Sequence, residues 1–110
     1  MTAQTGIDPG PLYSTLDGDP DLGVMVELFL EEMPERVAHF LDLLDRQDWK
    51  ELARAAHQLK GAAGSYGFQP ISPCAARLEE AVQLGRPFEQ IRQAVEELTD
   101  LCRRAAARPR

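Results

Sequence analysis

"DWKELARAAHQLKGAAGSYG", Asp48 to Gly67, decides the fold. Its apolar residues Leu52, Ala56, Leu59, Ala63 and Tyr66 recur at three- and four-residue steps, the period of a helix with one buried face. Asp48 can accept from the first unpaired N–H groups, and Glu51 stands three residues on, a variant of the capping box. Gly67 supplies the stop. Gly61 and Gly64 nevertheless fall inside the helix, where each costs roughly 1 kcal/mol against alanine. They share a stripe with His57 and Lys60, at i, i+3, i+4 and i+7, opposite the apolar face. His57 is thus predicted to face outward or to sit at the boundary, with a lysine at its shoulder and bare backbone one turn beyond.

Outward from this helix the punctuation continues. Upstream, Asp19 followed by Pro20 predicts a helix start, with Leu22, Met25, Leu28 and Phe29 as its inward residues. Pro34 begins a new helix or kinks the old one, and Val37, Phe40, Leu41 and Leu44 form the next stripe. Downstream, Pro70 and Pro73 are tolerable only in the first turn of a fourth helix, which runs through Ile71, Leu78 and Val82 to a stop at Gly85. Pro87 opens a fifth, with Phe88, Ile91, Val95, Leu98 and Leu101 on one face. Residues 1–18 hold Gly6, Pro9, Gly10, Pro11 and Gly18 and read as a lead-in arm, from which Ile7, Leu12 and Leu16 can pack onto the domain. No segment alternates as a strand does. Short links between amphipathic helices predict an all-α fold over residues 19–107: an up-and-down antiparallel four-helix bundle, with an additional short N-terminal helix capping one end.

Composition agrees with a single small domain. The chain has 110 residues, 44% hydrophobic and 27% charged, enough for one core without staples. Aromatics are only 6%, so the core must be built mainly from Leu, Val and Ala. A formal charge of −6 argues against nucleic acid or an anionic membrane surface as partner, since both call for basic patches. The basic tail "RRAAARPR" needs no more than the dipole at a helix C-terminus to explain it. No stretch approaches the ~18 apolar residues of a membrane span, and "MTAQTGIDPGP" lacks the basic-then-apolar pattern of a signal peptide. Cys74 and Cys102 have no metal or redox spacing and read as small buried hydrophobes in a reducing compartment. These features predict a cytoplasmic protein, or the cytosolic part of a larger one.

The chemistry concentrates on His57. A neutral imidazole is a nucleophile that forms covalent intermediates, an ammonium holds phosphoryl oxygens as a point charge, and glycines let another protein approach the backbone. Each feature alone has an ordinary explanation: surface polarity for His57, a solvated face for Lys60, a fraying end for the glycines. All must hold at once on one stripe. His39 lies among Val37, Phe40 and Leu41 and reads as a structural histidine bordering the core. Neither histidine has paired ligands at metal spacing.

"HQLKGAAGSYG" matches the pattern H-x-L-K-G-(x)5-G and resembles the histidine-containing phosphotransfer (HPt) domains. "GID" near the start, "ELFLEEMPERVAHFLDLLDRQDW" before the histidine and "ARLEEAV" after it resemble the family in order and spacing, over roughly residues 7–103. The resemblance implies that His57 is the phosphoacceptor, that Lys60 steadies the phosphoryl group and that Gly61 leaves room for it. Several family members place an acidic or amide residue on the following helix against the far ring nitrogen; by spacing, that position is Glu79, and a solvated helix face remains an equal reading. The basic residue some members carry one turn later is Gln83 here. The implied partners are receiver domains of response regulators or a hybrid sensor histidine kinase. The receiver would bring Mg²⁺ and most catalytic groups, with no cofactor on this chain. Small residues Ala53, Ala56, Gly61 and Gly64, with Phe68 beside them, would form the docking surface. The sequence has no P-loop or glycine-rich nucleotide motif, so a phosphocarrier rather than an enzyme is expected.

Two other classes stay open. One is an adaptor of the same fold that carries no phosphate. The other is a histidine-kinase dimerisation domain, which usually follows its histidine with an acidic residue and then a proline; here Gln58 and Leu59 follow, and the next proline is Pro70. Five helices in so short a chain also favour a monomer.

Overall fold

The computed structural model describes residues 10–16 and 18–107. Among these residues five helices follow one another: α1 (Gly23–Glu31), α2 (Met33–Asp45), α3 (Trp49–Ser65), α4 (Ile71–Gln83) and α5 (Phe88–Arg104). The links between α2 and α5 are a few residues each. α3 lies between α2 and α4, and α5 lies against both α4 and α2, which closes the bundle. The all-α expectation holds. Leu43, Leu52, Leu59, Ile71, Leu78, Val95 and Leu98 meet at the centre, fully or almost fully buried.

Helix boundaries follow local chemistry. Asp48 Oδ1 accepts from Glu51 N at 3.3 Å and caps α3. Three helices end on a residue in the left-handed region: Gln47 (φ 53°) after α2, Gly67 (φ 82°) after α3 and Gly85 (φ 65°) after α4. Each ending makes the two reversed hydrogen bonds of a Schellman motif. After α3 these run from Gly67 N to Gly64 O and from Phe68 N to Ala63 O.

Several sequence expectations change. Asp19 Oδ1 accepts from the N–H groups of Asp21 and Leu22, but regular helix starts only at Gly23. The inward residues of α1 are Gly23, Val26 and Phe29. Leu22, Met25 and Leu28, expected inside, are 40%, 45% and 52% exposed. Almost every turn of α1 is apolar, so the sequence pattern alone does not select a face; Phe29 does, by seating its ring 5.1 Å from that of Tyr66 and 5.4 Å from that of Phe68. Leu41 and Phe88 are likewise exposed, while Leu43 and Thr99, not expected inside, are buried. His39, expected to border the core, is exposed beside Glu32, Glu35 and Arg36.

The arm also holds a surprise. β1 (Leu12–Tyr13) pairs in parallel with β2 (Ala105–Ala106), where no strand was expected. A two-residue ladder carries no alternation for a sequence to show. Next to it, Ser14 Oγ donates to Tyr66 O and Thr15 N to Gly67 O, so the arm is fastened to the end of α3. Ile7, expected to pack on the domain, lies outside the described residues, as does the end of the basic tail. Cys74 and Cys102 are free and buried, and burial pushes the Cys102 thiol up to about 12.

Candidate functional site

His57 projects from the middle of α3 with 64% of its side chain exposed. Its position follows from the helix: Ala56 and Leu59, its near neighbours in sequence, are fully buried, which turns residue 57 outward. Glu79, on α4, reaches across the groove between the two helices. Its Oε2 lies 3.0 Å from His57 Nδ1, and its Oε1 accepts from Lys60 Nζ at 2.9 Å. Gln83, one turn further along α4, donates to the same Oε2 at 3.4 Å. The fold therefore brings His57, Lys60 and Glu79 onto one carboxylate, with Gln83 at its edge.

The electrostatics fix the histidine's tautomer. The hydrogen bond from Lys60 is the main influence holding the Glu79 carboxyl below its ordinary 4.5, followed by burial acting in the opposite direction. Glu79 is thus ionised near neutral pH. An ionised carboxylate only accepts, so Nδ1 must carry the proton. In the neutral ring this leaves the lone pair on Nε2, on an exposed imidazole held by its other nitrogen.

The ground beyond the histidine is open at one glycine and filled at another. A Cβ placed on Gly61 would meet nothing within 4 Å. Gly64 is half-buried: its Cβ would stand 3.8 Å from Ser72 Oγ on α4, an ordinary contact. Ser72 Oγ in turn donates to Lys60 O at 3.0 Å, which holds the start of α4 against this stretch of α3. Of the residues expected to dock a partner, Ala53 is half-buried and Gly61 exposed. Ala56 and Phe68 are fully buried and unavailable as contact side chains. Ala56 belongs to the apolar stripe of α3, and Phe68 is turned in by the Schellman ending onto Phe29.

A family model described as Hpt domain matches residues 24–108. The chain belongs to the Hpt domain family. Among curated proteins and among solved structures, nothing matches the chain. Hpt domains are phosphocarriers of two-component phosphorelays, and the family interacts with receiver domains and kinases. Among the described residues of this Hpt domain, no helix is long and apolar enough to cross a membrane. Leu22, Met25 and Leu28 were assigned to the core and are exposed instead; no local signal separates them from Val26 and Phe29.

Proposed function

We propose that this Hpt domain is a phosphorelay intermediate: His57 accepts a phosphoryl group from a receiver-domain aspartate and passes it to an aspartate on another response regulator. The observation that carries the reading is an exposed imidazole whose Nδ1 is engaged by an ionised carboxylate. In the accepting step the Nε2 lone pair bonds to phosphorus, the P–O bond of the aspartyl phosphate breaks, and its electron pair leaves with the aspartate carboxylate. The return step reverses this. Glu79 holds the ring in the reactive tautomer, Lys60 steadies the phosphoryl oxygens, and Gly61 leaves room for the incoming site. The receiver supplies Mg²⁺ and the in-line geometry.

The docking surface includes Gly61 and Ala53 on α3. We add to it the exposed apolar Met25 and Leu28 of α1 and Leu22 just before that helix, which Phe29 anchors to Tyr66 and Phe68 at the end of α3; we read α1 as covering that end of the bundle. Such an interface is small and transient, so a monomer that changes partners suits the role.

A labelled-phosphate assay tests the proposal. A receiver carrying labelled aspartyl phosphate is mixed with the wild type and with His57→Gln. Acid-labile label is expected on the wild type alone. Absence of label on the wild type with every competent donor would leave the adaptor as the better account.

A further inference from the structure

Lys60 is not free to meet a phosphoryl group. Its ammonium is 2.9 Å from Glu79 Oε1, and the other oxygen of the same carboxylate holds the histidine at 3.0 Å. The Glu79 side chain is only 14% exposed, so its charge is partly shielded from water and needs a counter-charge nearby. In the nucleophilic form of the bare protein, whose Nε2 must carry a lone pair, the ring has no charge to offer and that counter-charge is Lys60.

Phosphorylation changes the account of charges. When the Nε2 lone pair bonds to phosphorus, the ring keeps its Nδ1 proton and becomes an N-phosphorylated imidazolium. No proton crosses; the electron pair of the broken P–O bond stays with the donor carboxylate. The ring now carries a positive charge directly against Glu79, and its Nδ1–H becomes a charge-assisted donor, roughly twice as strong as a neutral one. Two negative charges arrive on the far side, one helical turn from the base of a long, flexible lysine. The carboxylate gains one cation as the phosphoryl group creates a demand for another.

Building on the relay reading, we propose that Glu79 is a charge-exchange latch for Lys60: it holds the ammonium while His57 is bare and releases it to the phosphoryl oxygens as the imidazolium takes its place. Glu79 is a positioning residue, since it acts through His57 and Lys60 and touches no transferred atom. The exchange works in both directions. Once the phosphoryl group departs, the ring loses its charge and Glu79 recovers the lysine, which clears the ammonium from the leaving group. Gln83, which donates to the same carboxylate, adds no charge and leaves the exchange to a single cation.

The full chain can be phosphorylated without a partner by phosphoramidate, a small P–N donor that gives up its phosphoryl group and releases ammonia. The ¹⁵N-labelled Lys60 ammonium is expected to correlate with the Glu79 carboxyl carbon in the bare protein and with phosphorus after labelling. A carboxyl correlation that persists unchanged in the phosphorylated protein overturns the latch. A double-mutant cycle provides an independent measure. The phosphorylation equilibrium is read by ³¹P signals in mixtures of phosphoramidate and ammonia for wild type, Lys60→Gln, Glu79→Gln and the double variant. An ion pair present only in the bare state makes the double variant lose more than the product of the two single losses, by about threefold or more. A purely multiplicative result overturns the proposal. Either negative result, obtained with His57 labelled, removes the latch and leaves the relay standing. A protein that takes a phosphoryl group from neither phosphoramidate nor any phosphorylated receiver loses both.

Discussion

Gly61 has open space where a side chain would stand, and nothing among the described residues asks for its absence. A helix-interior glycine costs about 1 kcal/mol against alanine, a cost that fits the proposed approach of a partner to His57. Gly61→Gln is therefore expected to raise stability by up to about 1 kcal/mol in urea unfolding and to slow receiver-to-His57 transfer roughly a hundredfold by holding the phosphoryl donor back. Wild-type transfer by this variant would remove the docking explanation. Glu79 makes a contrasting case at the same scale. Its position came from a spacing in the family resemblance, and its approach to the histidine was one of two equal readings. The ion pair with Lys60 was not foreseen at all, because the lysine had been assigned to the phosphoryl group. Two residues nineteen apart in the chain share a carboxylate only because α3 and α4 pack side by side.

At the scale of the element, most boundaries were legible. Asp48, Gly67 and Gly85 each act on their nearest neighbours in the chain, so their effect survives whatever packs around them. Gln47 is the exception: it takes φ 53° in the Schellman ending of α2, with Asp48 N bonded to Leu43 O, a place glycine fills after α3 and α4. A left-handed backbone costs a non-glycine residue roughly 1–2 kcal/mol. Part of that is returned as extra freedom of the unfolded chain when glycine is substituted, so Gln47→Gly is expected to stabilise the domain by about 0.5–1 kcal/mol. Chemical denaturation of the two proteins measures this, and a destabilised variant would contradict the assignment of that ending. The inward face of α1 was the poorest expectation. Periodicity marks a face only when the other faces are polar, and here Val24, Met25 and Leu28 remain apolar toward solvent.

Across the whole molecule, Gly67 joins three parts. It ends α3, and its Cβ position lies 2.5 Å from Ser14 Oγ, 2.8 Å from Thr15 Oγ1 and 3.0 Å from Thr15 N of the arm. The same arm pairs with the end of α5 through β1 and β2, so the first and last described segments are tied together beside the α3–α4 turn. Gly85 offers an internal control, having a comparable backbone angle and nothing within 4 Å of its Cβ position. Gly85→Ala is expected to cost only the left-handed backbone, about 1 kcal/mol. Gly67→Ala must also displace the arm and is expected to cost at least ~1 kcal/mol more, a further fall of about 4–8 °C in Tm. Equal losses for the two would mean that the arm yields freely.

The order of the helices, the cap at Asp48, the stops at Gly67 and Gly85 and the outward turn of His57 could be read along the chain, because caps, left-handed stops and a helical period are decided within a few residues. The sequence also carried the family, in a motif that lies on one helix. It took the packing of the helices to turn Val26 rather than Met25 and Leu28 inward on α1, to seal Phe68 in the core, to close the arm on Gly67, and to bring the histidine and the lysine onto one carboxylate. Those outcomes depend on which faces of separate helices meet, and a contact between distant residues has no local energy term for the sequence to display.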